Sequence, residues 1–186
     1  DLEKKIVNRI IKPTLSNLKK RGHPFTGFLY AGLMIKNGDP YLIEYNIRMG
    51  DPECQVILPR LKTDLIKIFN ATIDNKLNKI KINWMKLKCM TVVLCSKGYP
   101  GEIKKDKLIK NIDKLKLLRN SFIFHAGTKF KGNRLVSNGG RVLNITSAGK
   151  NFKKIRTNIF KIIKTINWKH GFYRKDIGWR VIKNKL

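Results

Sequence analysis

The sequence predicts an α+β fold of antiparallel strands with flanking helices, followed by a small mixed β/α part. Three observations carry this. Two stretches of strand character meet at Asn37-Gly38, a dipeptide that joins neighbouring strands into a hairpin. Cys89-Met-Thr-Val-Val-Leu-Cys-Ser is a continuous apolar, β-branched run of strand length, and more strand-like sequence follows up to Thr146. Phe152, Ile155, Ile159, Ile162, Ile163 and Ile166 then fall on one helical stripe. At 186 residues the chain suits one or two domains with a buried core. A polar, Lys-rich stretch before Cys89 places the boundary, giving residues 1–84 and 85–186.

Taken in order, Ile6, Ile10, Ile11, Leu15 and Leu18 have helical spacing, interrupted at Pro13, which either starts a second helix or kinks one. Arg21-Gly-His-Pro breaks the pattern, and Phe28 to Ile35 reads as a buried strand. Gly32 within it admits a close neighbour, whether a backbone, a nucleotide or ordinary packing. Asp39-Pro40 is expected to lengthen the hairpin loop beyond two residues. In the partner strand Ile43, Tyr45 and Ile47 alternate with Glu44, Asn46 and Arg48. Gly50 then turns the chain into a short helix from Pro52 to Leu61, with Asp51 as its cap and Pro59 ending it. Thr63 is the expected cap of a second helix that turns Leu65, Ile66, Phe69 and Ile73 inward. Asn75 to Lys88 reads as a loop anchored by Trp84. After the Cys89 strand come a turn at Gly98-Tyr-Pro-Gly and a helical or irregular stretch from Lys104 to Arg119. Strands are expected at Phe122–Thr128 and Asn133–Thr146, the second with a turn or bulge at Gly139-Gly140. The helix over Asn151–Asn167 completes the pattern.

Chemistry concentrates on the polar face Glu44, Asn46, Arg48. Strand rise spaces these side chains by about 6–7 Å. A carboxylate and an amide oxygen are hard ligands suited to a magnesium ion that also holds phosphates. Arg48 offers a fork for a phosphate oxygen. The same alternation also describes an ordinary edge strand with one solvated face. The net charge of +29 invites a basic nucleic-acid-binding module as an alternative. The lysines are spread along the chain rather than gathered in one stripe, and such a platform has no use for Glu44. No specific nucleic acid is therefore expected, only salt-sensitive background binding. No apolar run approaches the ~18 residues of a membrane helix, so no membrane partner is expected. Cys54, Cys89 and Cys95 form neither a paired framework nor a zinc spacing, which points to a reducing, cytoplasmic setting.

The strand Phe28-Leu-Tyr-Ala-Gly-Leu-Met-Ile and the run Ile43-Glu-Tyr-Asn-Ile-Arg-Met-Gly-Asp-Pro-Glu resemble the last catalytic strands of an ATP-grasp ligase. Gly98-Tyr-Pro-Gly, Phe124-His-Ala-Gly-Thr, Asn138-Gly-Gly-Arg-Val-Leu and Phe172-Tyr-Arg-Lys-Asp-Ile-Gly-Trp extend the likeness over almost the whole chain. Together they resemble the C-terminal part of the phosphoribosylamine–glycine ligase family. That resemblance implies the C-terminal part of an ATP-grasp domain, then a small substrate-capping domain. It implies a ligase of de novo purine synthesis that joins glycine to phosphoribosylamine through a glycyl phosphate, with ATP as co-substrate. Another ATP-grasp carboxylate–amine ligase is the nearest alternative. By the same resemblance Glu44 and Asn46 are metal ligands for magnesium or manganese, and Arg48 lies near the transferred phosphoryl group. Arg141, Arg174, Lys175 and Asp176 are the expected phosphoribosyl-binding residues, with Lys175 standing where a second Arg is expected. Asp51 and Glu53 serve as helix-start residues or as site neighbours. The family's ATP clamp lies upstream of these motifs, so the expected partner is the missing N-terminal part, and this piece alone is expected to be inactive.

Overall fold

A computed structural model describes residues 1–183, which pack as two units. The first comprises Asp1–Asp51 and Thr63–Ile82; the second comprises Pro52–Lys62 together with the chain from Asn83 onward. Packing thus assigns the short helix after the hairpin to the second unit, although it precedes the expected boundary at residues 84 and 85.

In the first unit, α1 (Leu2–Ile6) and α2 (Lys12–Lys20) form one run joined by a π-helical turn, Val7–Ile11. Pro13 sits in the first turn of α2, where its missing N–H does no harm, and the wider π turn lets the helix continue past it. The run packs on a hairpin of β1 (Tyr30–Lys36) and β2 (Asp39–Asn46). Lys36 pairs with Asp39, so the loop has two residues rather than the longer one expected. Asn37 and Gly38 both have positive φ, 53° and 77°, the twist that suits a tight hairpin. Asp39 is then free to take Lys5 at 3.0 Å and Arg9 at 2.9 Å, tying helix to hairpin. The register slips between Gly32 and Leu33, leaving Ile43 as an extra residue in β2. That bulge breaks the strict alternation read from the sequence.

The helix α4 (Leu65–Ile73) is capped by Asp64, whose carboxylate accepts from the Lys67 amide at 2.9 Å. Thr63, the expected cap, instead points its hydroxyl at the Lys81 carbonyl, 3.4 Å away. The inward face is Ile68 and Ala71; Ile66 and Ile73 are exposed, contrary to the spacing argument. An evenly apolar helix supports more than one choice of face, and sequence periodicity chose the wrong one.

The second unit is built on an antiparallel sheet of order β4 (Ser121–His125), β7 (Arg141–Gly149), β3 (Lys88–Ser96), β8 (Gly171–Phe172). The helix α5 (Phe152–Thr165) lays Ile155, Ile159, Ile162 and Ile163 on one face of it. Val92, Leu94, Leu143 and Ile145 meet them from the sheet. Asn151 caps this helix, accepting from the Lys154 amide at 3.1 Å. Strand β4 stops at His125, and β5 (Thr128–Lys131) pairs with β6 (Arg134–Ser137) as a separate hairpin. The break falls at Gly127, where a Cβ would strike the Arg141 carbonyl and the Gly139 backbone. The remaining helices are α3 (Cys54–Ile57) and α6 (Trp179–Lys183), and residues 104–119 are irregular.

Candidate active site

The first candidate centre is on β2. Asn46 Nδ2 donates to Glu44 Oε1 at 3.1 Å, so the two side chains share a face of the strand. Gly32 is paired directly opposite Glu44, and a Cβ there would lie 3.0 Å from Glu44 Cγ. The glycine therefore gives Glu44 room to lie across β1. Among the described residues no cluster of three or more His, Cys, Asp or Glu side chains forms a metal cage. A carboxylate beside an amide nevertheless fits magnesium or manganese, which bind through one or two protein oxygens plus water and substrate phosphates.

Arg48 lies past the end of the strand that carries this pair, not on it as the alternation suggested. Strand β2 ends at Asn46, the chain bends, and Arg48 Nη1 donates to the Met49 carbonyl at 2.9 Å. Asp51 is a turn residue rather than the helix cap: α3 begins at Cys54 with Glu53 in the cap position, and no side-chain cap bond forms. One turn of helix followed by a 3₁₀ turn at Leu58–Arg60 leaves little to cap.

The second candidate centre is a cavity of about 390 Å³ within the second unit. Its geometry follows from the end of β3. Cys95 pairs with Arg141 on one side and with Phe172 on the other, which turns all three side chains to one face. The two flanking strands are about 10 Å apart, twice the strand spacing. Tyr99, Tyr173 and Arg174 complete the wall. Ser96, 2% exposed, holds the neighbouring glycines in place: its amide donates to the Gly140 carbonyl and its Oγ to the Gly139 carbonyl, each at 2.8 Å. Gly140 has no room for a Cβ because the Tyr99 ring lies against it. The two glycines of this motif are thus packing residues beside Arg141.

Of the four expected phosphoribosyl-binding residues, Arg141 and Arg174 meet at this cavity; Lys175 and Asp176 are not among its lining residues. Asp176 is engaged by Arg174 in two bonds, Nε to Oδ1 at 3.1 Å and Nη2 to Oδ2 at 2.6 Å. That fork holds the Asp176 carboxyl below the usual carboxylate range. Sequence reasoning missed Cys95, Tyr99 and Tyr173, although the last two lie inside the quoted motifs, a signal that was there to use. Burial pushes the Cys95 thiol up, with Arg141 opposing, which disfavours the thiolate. His125 is satisfied locally, its Nδ1 3.0 Å from Thr128 Oγ1. A larger cleft of about 860 Å³ beside Leu108–Asp113 contains none of the expected site residues.

Comparison with known proteins identifies the family. Two family models match the chain: "Phosphoribosylglycinamide synthetase, ATP-grasp (A) domain" over residues 1–54 and "Phosphoribosylglycinamide synthetase, C domain" over residues 89–180. A phosphoribosylamine–glycine ligase of Agrobacterium fabrum is 45% identical over 176 residues, covering 95% of this chain and 41% of the relative. That of Brucella melitensis is 41% identical over 179 residues, with 96% and 42% covered. A chloroplastic ligase of Arabidopsis thaliana is 42% identical, with 100% and 36% covered. The crystal structure of a phosphoribosylamine–glycine ligase from Thermotoga maritima superposes with a TM-score of 0.73 at 33% identity, covering 93% of this chain and 42% of that one. The chain spans about two-fifths of the length of the curated relatives it matches. With both its strand hairpin and its cavity-bearing sheet inside matched domains, this chain belongs to the phosphoribosylglycinamide synthetase family.

Proposed function

We propose that the chain is the C-terminal part of an ATP-dependent ligase that joins glycine to 5-phosphoribosylamine in purine synthesis, in the cytoplasm. The observation that carries this reading is identity of 41–45% to phosphoribosylamine–glycine ligases across 95–96% of the chain. The reaction phosphorylates the glycine carboxylate, and the amine of phosphoribosylamine then displaces phosphate from the glycyl phosphate. Magnesium or manganese, when bound, neutralises charge on the ATP phosphates. Glu44 and Asn46 are its proposed ligands, oriented by their mutual hydrogen bond and by the space above Gly32. Arg48 is assigned to the region of the transferred phosphoryl group, with Asp51 and Glu53 as neighbours on the same connection. At the cavity, Arg141 and Arg174 bind the 5′-phosphate, a role suited to guanidinium forks. Tyr99 and Tyr173 flank the sugar and exclude water. Lys175 adds positive charge to the rim. The adenine and ATP-clamp contacts belong to the remainder of the enzyme, the proposed partner of this chain.

The test is a chimera in which this chain replaces the matched segment of the Agrobacterium fabrum relative. Phosphate release that requires ATP, glycine and phosphoribosylamine together is the expected result. Glu44→Gln in the chimera should raise the magnesium requirement and lower turnover at least about tenfold. A folded chimera without glycine-dependent turnover, beside an active parent, overturns the proposed function. An unchanged magnesium dependence in Glu44→Gln overturns the metal assignment alone.

A further inference from the structure

The segment Tyr173–Asp176 carries Arg174 to the cavity, yet after the half-buried Tyr173 it is an exposed connection that follows a strand of only two residues. Such a segment needs something outside itself to hold its arginine in one place. One turn of α5 supplies it. Arg156 Nη2 donates to the Lys175 carbonyl, and Phe160, four residues on, packs its ring 5.8 Å from that of Tyr173. The Arg156 guanidinium itself sits 4.7 Å above the Phe160 ring. The residues on both sides of Arg174 are therefore gripped by neighbouring side chains of a helix anchored in the core.

Asp176 completes the arrangement. Its carboxylate takes the Nε N–H and one Nη2 N–H of Arg174, which leaves both Nη1 N–H groups and the second Nη2 N–H on the far edge of the fork to meet a ligand. The pair is exposed, the Arg174 and Asp176 side chains at 70% and 51%. An exposed pair contributes little to stability, so its effect is on direction rather than on folding.

Resting on the assignment of Arg141 and Arg174 to a phosphate, we propose that Arg156 and Asp176 are positioning residues of the phosphate site. Arg156 fixes the backbone that carries Arg174, and Asp176 aims its guanidinium. Asp176 on this account touches no substrate hydroxyl, and Arg156 reaches the ligand only through the segment it holds.

The test measures binding of ribose 5-phosphate and inorganic phosphate to the 186-residue chain by calorimetry, with thermal melting alongside. Asp176→Asn should weaken ribose 5-phosphate about tenfold, and Arg156→Met about fivefold, as expected for disturbing a charge-assisted contact. Arg156→Lys, which keeps a donor for the Lys175 carbonyl, should recover most of the loss. Melting temperatures should stay near that of the unmodified chain. Unchanged affinity in Asp176→Asn and Arg156→Met overturns the proposal while leaving the phosphate site standing. Affinity lost in proportion to lost folded protein marks a structural role and also overturns it. If the unmodified chain binds neither probe, the phosphate assignment fails and this inference with it.

Discussion

Gly32 and Asp176 each derive their meaning from one neighbour. Gly32 is small because Glu44 lies over it, a pairing across two strands that no local pattern announces. Asp176 faces Arg174, and the consequence can be titrated. Its folded pKa is lowered, first by the hydrogen bonds from Arg174 and further by the charges of Arg174 and Arg156. A depressed carboxylate contributes stability that is complete above its unfolded value and lost as pH falls through the folded one. The Asp176 carboxyl carbon, followed by NMR, should therefore titrate below 3.8, and Arg174→Ala should move the midpoint back up. A midpoint at or above 3.8 in the unmodified chain would mean that the pair does not form in solution.

Helices α4 and α5 make a useful contrast. Both are capped by a short polar side chain accepting from the third amide of the first turn. Helix α5 has lysines opposite its isoleucines, so its buried face is unambiguous; Ile159 is fully buried against β3 and β7. Helix α4 is apolar on more than one side, and Ile66 is 61% exposed. Ile159→Ala should cost about 2–5 kcal/mol through lost transfer energy and a residual cavity. Ile66→Ala should stay within about 0.5 kcal/mol. Denaturant unfolding of both variants checks the pair of values. A large loss at Ile66 would show that the inward face of α4 is the one periodicity suggested.

The two packing units differ in how well each is closed. The second has a four-stranded sheet covered by a helix, with β7 buried almost from end to end. The first has a two-stranded hairpin on which Met34, Tyr41 and Ile43 are more than half exposed. Two strands alone are marginal in water, and exposed apolar strand residues invite association. In hydrogen exchange, residues of β1, β2 and α4 should exchange well before those of β3, β7 and α5. In the chimera described above, β1 and β2 should gain protection while β3, β7 and α5 change little. Equal protection of the two units in the isolated chain would show that the hairpin needs no further cover.

Much was legible in the chain because it depends on local rules. The strand pair joined at Asn37-Gly38, the β-branched Cys89 strand and the α5 stripe all follow from short-range sterics and periodicity, and the structure keeps them. The shared face of Glu44 and Asn46 is a property of strand geometry and was readable from their spacing. The bulge at Ile43 and the choice of face on α4 were not, because each is set by pairing or packing with another element, and the bend that takes Arg48 out of the strand was hidden by an unbroken alternation of residue types. The cavity shows the same limit. Arg141 and Arg174 were individually recognisable, but their meeting depends on Cys95 pairing with two strands at once, separated from it by 46 and 77 residues. Local chemistry decides which residues form an element; long-range pairing decides which of those elements share a wall.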